Sequence, residues 1–186
     1  YILRKYKSYS PSLATHFIIL GGDGFMLKNI KKFYKYKKPF YGINCGTYGF
    51  LMNNLNMKNL EQKISIARKA IINTLSIDCF YGNNLKKKLI AINEISIFRQ
   101  SKQTASLNIK VGNKTVIKKL VGDGVLVSTP AGSTAYNLSV NGPILALNSG
   151  KLAITPISPF RPRRWKGKII SNQAIVKIKN LSPKKR

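Results

Sequence analysis

Apolar and polar positions change their rhythm along this chain. His16-Phe17-Ile18-Ile19-Leu20 is a continuous apolar run of strand length, the pattern of a strand buried on both faces. Gly21 to Gly24 turn the chain, and Phe25 to Tyr36 then read as a helix with lysines on its wet face. Pro39 breaks that helix, and Phe40 to Asn44 form a second strand that ends at Gly46 and Gly49. Asn59 to Ile72 suits a further helix, with Leu60, Ile64, Ala67 and Ile71 at helical spacing. Strand, crossover helix and strand in this order predict a parallel sheet.

The rhythm shortens after about residue 74. Thr74 to Tyr81, Lys88 to Ile92, Ile95 to Arg99, Ser106 to Val111, Thr115 to Val121 and Val125 to Ser128 are β-rich runs. Gly82-Asn83-Asn84 and Gly112-Asn113 supply turns between them, which predicts an antiparallel sandwich or barrel. A helix over Ser133 to Ser139 interrupts it, and the tail Ser182-Pro183-Lys184-Lys185-Arg186 reads as solvated. The expected fold is therefore an α/β N-terminal domain with a parallel sheet, residues 1–73, followed by a β-rich, sandwich-like C-terminal domain, residues 74–186. The last segment is expected to pack back on the first domain.

Composition narrows the class. A chain of 186 residues with 44% hydrophobic content can bury a core, and it is too apolar for charge-driven disorder. No apolar stretch approaches the ~20 residues that span a bilayer, and Tyr1-Ile2-Leu3-Arg4-Lys5 lacks signal-peptide anatomy. Cys45 and Cys79 are far apart without metal-ligand spacing, which suits a reducing, cytoplasmic setting. A formal charge of +28 predicts adhesion to polyanions. The lysines are scattered, however, and enriched together with Asn, Ile, Phe and Tyr. A compositional bias accounts for them better than a nucleic-acid surface does.

Only five acids face 33 basic residues, and three of the five stand in turns: Asp23, Glu94 and Asp123. Gly21-Gly22-Asp23-Gly24 lies between a predicted strand and helix, where glycines and free N–H groups let an anion approach. It is neither a Rossmann fingerprint, since the third glycine position falls on Leu27, nor a Walker A loop; a plain structural turn would read alike. Asn93-Glu94 ends an apolar run and offers donors and acceptors for vicinal ribose hydroxyls. In Gly122 to Tyr136 a buried strand runs into a dense hydroxyl array, with Ser133 or Thr134 as helix cap. Tyr136 there offers a stacking face for a base, or else simply fills core. One histidine, His16, excludes a persuasive Ser-His-Asp triad, and no cluster suits zinc. Paired glycosidase carboxylates are not assembled from so few acids.

In their order, Gly21-Gly22-Asp23-Gly24-Phe25-Met26-Leu27, Gly42-Ile43-Asn44-Cys45-Gly46-Thr47-Tyr48-Gly49-Phe50-Leu51, Asn93-Glu94, Asp123 to Ser139 and Asn141-Gly142-Pro143-Ile144 resemble the NAD kinase family. Ile154-Thr155-Pro156-Ile157 and Phe160-Arg161-Pro162-Arg163-Arg164-Trp165 are similar to its alphaproteobacterial branch. The resemblance implies ATP-dependent phosphorylation of the 2′-hydroxyl of the adenosine ribose of NAD, with Mg²⁺ or another divalent cation accompanying ATP. It implies Asp23 as proton acceptor and substrate contact, and Gly21, Gly22 and Gly24 at phosphate, Gly24 also touching substrate. Asn93 and Glu94 would hold the ribose. Asp123, Thr134, Ala135, Tyr136, Asn137, Leu138 and Ser139 would supply the remaining NAD contacts, so that most lie in the β-rich domain. A homodimer or homotetramer with sites completed across subunits is implied, with no membrane and no specific nucleic acid.

Departures are visible too. Ala131 stands where many members carry a hydroxyl, and Ser158-Pro159-Phe160 replaces a His-containing segment of other branches. Gly21 comes early and the chain ends soon after Leu181, which suggests a shortened form or a fragment with an exposed sheet edge. Two other classes compete: a diacylglycerol kinase-like lipid kinase, which shares a Gly-Gly-Asp-Gly turn, and a basic nucleic-acid-binding protein on the same scaffold.

Overall fold

Phe17 and Phe40 open two parallel strands, β1 (Phe17–Gly21) and β2 (Phe40–Asn44), paired in register from Phe17 opposite Phe40 to Gly21 opposite Asn44. They belong to a computed structural model that describes residues 2–47, 49–55 and 58–182. Tyr1, Tyr48 of the second glycine motif and the Pro183–Arg186 tail lie outside the described residues. The chain divides into two compact units, Tyr1–Lys69 and Ala70–Arg186.

In the first unit a short helix, α1 (Ile2–Lys5), precedes β1, and α2 (Asp23–Phe33) crosses from β1 to β2. The helix starts at Asp23, two residues before the predicted Phe25, because Gly22 takes the cap position and an acid suits the first turn. Its predicted last turn tightens into a 3₁₀ turn over Tyr34–Tyr36, closed by Lys37 in the left-handed region at φ 52°. Phe17 stacks on Phe33 of α2 and on Phe40 of β2 at centroid distances of 5.1 and 4.9 Å, each pair adding about 0.5–1.5 kcal/mol beyond area burial; the first pins α2 to the sheet.

Two predictions fail here. β1 is not buried on both faces: Ile19 is buried but Leu20 is 45% exposed, because a sheet of two strands gives too little cover. The helix α3 (Leu60–Ile66) stops six residues short of Ile72, with Ala67 extended. Leu60 is its one buried residue, and Ile66 and Ile71 are 74% and 77% exposed. Without a packed apolar face the second half of so short a helix is not held.

The second unit begins with a hairpin, β3 (Leu75–Tyr81) and β4 (Asn84–Ala91), and continues through β5 (Glu94–Phe98), β6 (Ala105–Val111), β7 (Lys114–Gly122) and β8 (Gly124–Ser128). After the four-residue helix α4 (Tyr136–Ser139) come β9 (Lys151–Ile157), β10 (Lys168–Ser171) and β11 (Val176–Asn180), three strands that the short β-rich runs did not include. They lie in order β10-β9-β8-β5 and β11-β6-β7, all pairs antiparallel. Leu107, Ile109 and Leu120 of one sheet meet Val125, Val127, Leu152, Ile154 and Ile170 of the other in a common core. Two inner faces thus interdigitate as in a sandwich, each large side chain contributing about 1.5–3 kcal/mol of burial.

Gly122-Asp123-Gly124 is the corner at which the chain leaves one sheet for the other. A Cβ on Gly122 would press on the Ser158 and Ile157 carbonyls at 2.8 and 3.0 Å, and one on Gly124 would fall on the Ile97 carbonyl. Both glycines are therefore required by packing, with Asp123 set between them.

Candidate functional site

Asp23 is the first residue of α2, and its carboxylate is gripped from a distant loop. Phe50 N–H donates to Oδ2 at 2.8 Å and Leu51 N–H to Oδ1 at 2.9 Å. The loop reaches it by lying back along β2. Asn44 N–H donates to the Asn53 carbonyl at 2.8 Å, and Asn53 N–H to the Gly42 carbonyl at 2.9 Å. A Cβ on Gly42 would strike the Met26 and Met52 side chains at 2.6 Å, so glycine there admits the loop. The two glycine motifs thus serve one carboxylate, each of whose oxygens keeps a further lone pair.

In the second unit the Asn93-Glu94 pair enters β5 opposite the end of β8, with Glu94 across from Ser128. The hydroxyl array folds onto it. Thr129 N–H donates to the Asn93 carbonyl at 2.8 Å, and the Thr129 hydroxyl donates to the Ile92 carbonyl at 2.6 Å. Gly132 N–H donates to that hydroxyl at 3.2 Å, and a Cβ on Gly132 would fall on the Asn93 backbone. Asn93 Oδ1 and Glu94 Oε2 are buried without a hydrogen-bond partner. An unpaired buried acceptor costs about 1–3 kcal/mol, and native structures seldom tolerate two in succession without a purpose.

The segment after the array divides by face. Thr134 and Ala135 are half-buried, Tyr136 is 39% exposed, and Leu138 and Ser139 are exposed. Asn137 is fully buried. Its amide donates to the Pro143 carbonyl at 2.9 Å and the Ser133 carbonyl at 3.3 Å, while Oδ1 accepts from the Thr155 hydroxyl at 2.7 Å. Gly142 leaves room for that amide. Asn137 therefore ties the turn to β9. Neither Ser133 nor Thr134 caps the helix: α4 begins after Ala135 with no side-chain cap. The Ser133 hydroxyl is drawn inward instead, donating to the Pro130 carbonyl at 2.7 Å and accepting from Leu145 N–H at 3.0 Å.

Asp123 is placed apart from Asn93 and Glu94. β5 and β8 pair Glu94 with Ser128 at one end and Phe98 with Gly124 at the other, so Asp123 lies roughly 16 Å along the strand from Ser128. Arg99 holds it: Nε contacts Oδ1 at 2.5 Å, and Arg99 N–H donates to the Asp123 carbonyl at 2.9 Å.

Comparison with known proteins follows from this layout. The ATP-NAD kinase C-terminal domain family matches residues 92–186, the segment that carries Asn93, Glu94, the hydroxyl array and Asp123. The chain is 46% identical over 97% of its length to an NAD kinase of Zymomonas mobilis, spanning 71% of that protein. The chain belongs to the NAD kinase family. Among solved structures it is similar to yeast NADH kinase complexed with NADH, with a TM-score of 0.77 and 27% identity over 90% of this chain and 50% of that one. It shares its fold with an NAD kinase from Archaeoglobus fulgidus in complex with ATP, at a TM-score of 0.68 and 24% identity over 93% of this chain and 68% of that one. Neither the lipid-kinase nor the nucleic-acid alternative draws support from these likenesses.

Within this NAD kinase family member, burial pushes the Glu94 carboxyl above the usual carboxylate range. The folded state then binds that proton more tightly than the unfolded state. Its contribution to stability is complete below the unfolded value and is lost as pH rises through the folded one. Glu94→Gln, which cannot ionise, is expected to melt above the parent at pH 8 and level with it at pH 4. Thermal denaturation of both proteins at the two pH values checks this; an offset independent of pH would contradict it. The chain has five acids in all, so the background from other carboxylates is small.

No local pattern in the sequence singles out Arg99 or the Phe50 and Leu51 amides. Arg99 is one of 33 basic residues and carries no local signature. The amides are backbone groups, which no residue type announces. Among the described residues no helix is long and apolar enough to cross a membrane.

Proposed function

We propose that this chain phosphorylates the 2′-hydroxyl of the adenosine ribose of NAD from ATP, giving NADP and ADP. The observation that carries the reading is the buried, unpartnered pair of acceptors on Asn93 and Glu94, beside a turn built to hold them. Vicinal hydroxyls of a ribose supply the missing donors. Tyr136 offers a half-open ring for the base, and Thr134, Ala135, Leu138 and Ser139, none of them fully buried, supply further contacts.

Asp23 accepts the proton of the reacting hydroxyl. Its fixed carboxylate plane meets the requirement of general-base catalysis that geometry be set before the proton moves. Gly21, Gly22 and Gly24 border the phosphates. A Cβ on Gly22 or Gly24 would meet nothing within 4 Å, and Gly22 has an ordinary extended backbone, φ −117°. Protein packing does not call for glycine at these two positions; close approach of a phosphate to the chain does. No group of three or more His, Cys, Asp or Glu side chains able to hold a metal occurs among the described residues. A divalent cation arriving on the ATP phosphates fits that donor set better than a protein cage. Bound there, Mg²⁺ would offset charge on the transferred phosphoryl group.

A homodimer or homotetramer accompanies this reading. The β3–β4 hairpin exposes Phe80 and Tyr81, 61% and 77% accessible, and an isolated hairpin is marginal unless covered. The cytoplasm is the proposed location, in keeping with two free, exposed cysteines. The test is formation of NADP by the purified chain from NAD with ATP as donor. The reading predicts turnover that requires both substrates, and phosphorylation of diacylglycerol in place of NAD would reject it.

A further inference from the structure

We propose that Arg99 is a positioning residue that sets which redox form of the dinucleotide is accepted, by holding and neutralising Asp123. The inference rests on the proposed function and on the NAD contact that the family resemblance implies for Asp123. With the adenosine ribose at Asn93 and Glu94, a contact roughly 16 Å away along β8 falls to the opposite, nicotinamide half of the molecule. That half alone differs between the two forms: the ring carries a positive charge in NAD and none in NADH.

Arg99 is fixed at several points. Its N–H donates to the Asp123 carbonyl at 2.9 Å, Nε to Asp123 Oδ1 at 2.5 Å and Nη1 to the Ser101 carbonyl at 2.6 Å. Asp123 is equally constrained, since its own N–H donates to the Ile157 carbonyl at 3.0 Å and both flanking glycines are sterically required. The fork therefore occupies Oδ1 and leaves Oδ2 to a ligand. Both side chains are about three-tenths exposed, so the pair is open to a bound molecule yet partly shielded from water. An isolated Asp123 carboxylate would favour the cationic ring, and the Arg99 guanidinium cancels that preference, so the neutral ring of NADH is not penalised. Discrimination between the forms thus becomes a property of the pair rather than of Asp123.

Steady-state kinetics of the purified chain with NAD and with NADH, at saturating ATP, test this. Arg99→Met is expected to raise KM for both, and for NADH about fivefold more than for NAD, the scale of one unscreened charge several ångströms away. Arg99→Gln can still donate to Asp123 Oδ1, through Nε2 in the place of Nε, without charge and should give the same shift in ratio, so the test survives if Arg99→Met does not fold. Arg99→Lys keeps the charge and should hold the NADH-to-NAD ratio within twofold of the parent, even where both KM values rise. Asp123→Asn leaves Arg99 uncompensated and should move the ratio the opposite way, toward NADH. A purely structural role would raise both KM values together in every variant. If Asp123→Asn leaves both KM values untouched, Asp123 is not a dinucleotide contact and the inference falls, while turnover of NAD with ATP still stands for the proposed function. If it alters them while Arg99→Met and Arg99→Gln leave the ratio unchanged, the inference alone is overturned.

Discussion

Asp23→Asn is expected to lower kcat by about 10²–10⁴-fold, the usual scale of general-base assistance, with KM for NAD changed by less than about tenfold. The amide keeps the shape of the carboxylate but has one acceptor oxygen in place of two. One of the Phe50 and Leu51 N–H groups then faces an NH₂, so a fall in stability of about 1–3 kcal/mol should accompany the loss of turnover. Kinetics and thermal melting on the same preparation separate the two effects: binding of NAD persists while the chemical step fails. Turnover within threefold of the parent would remove Asp23 from proton transfer and leave it as a clasp for the 49–53 loop.

Gly132→Ala should produce the largest loss reached without changing any proposed ligand contact. The added methyl falls on the Asn93 backbone, and backbone yields far less readily than the tip of a flexible side chain. Overpacking costs typically 1–3 kcal/mol, and this position belongs at the upper end, about 3 kcal/mol, or roughly 6–12 °C in Tm for a chain of this length. Relief requires the array to move off Asn93, which breaks the bond from Thr129 N–H to the Asn93 carbonyl. KM for NAD is therefore expected to rise more than tenfold. Gly24 provides the contrast, because a methyl there has open space. A Gly132→Ala protein with parental Tm and KM would show that the array and the Asn93-Glu94 pair are not a coupled unit.

Several strands up to Ser128 were legible because period and turn residues encode them locally; β9 to β11 and the first half of β4 were not picked out. The runs from Phe40 to Asn44 and from Val125 to Ser128 are read from apolar continuity alone and match β2 and β8 to within a residue. Helix ends were not legible. The apolar spacing of Leu60, Ile64, Ala67 and Ile71 suits a helix, but α3 ends where burial ends, and burial is a tertiary property. β11 carried a clear two-residue alternation in Val176-Lys177-Ile178-Lys179 that lay within reach of the same reasoning.

The site was legible by residue type and only partly by role. Asp23 and Glu94 stand out because acids are rare in this chain and these adjoin turns, and Asn93 is noticed only as the neighbour of Glu94. Asn137, a polar residue inside a ligand-like motif, bonds Ser133, Pro143 and Thr155, partners that lie partly outside that motif and that its type alone does not announce. The glycines divide on the same ground. Gly122, Gly124, Gly132 and Gly142 are explained by atoms from distant parts of the chain, whereas Gly22 and Gly24 are explained by none. Sequence alone does not distinguish these two kinds of glycine, yet the second kind marks where a ligand is to be sought.

Calorimetric titration of NAD into the purified chain and into Asn93→Ala tests most directly whether the orphaned acceptors grip the dinucleotide. Loss of one ligand hydrogen bond should weaken Kd about tenfold, about 1.4 kcal/mol, while Tm holds or rises because a buried, unsatisfied oxygen has been removed. An unchanged Kd in the folded variant would contradict the account at its centre.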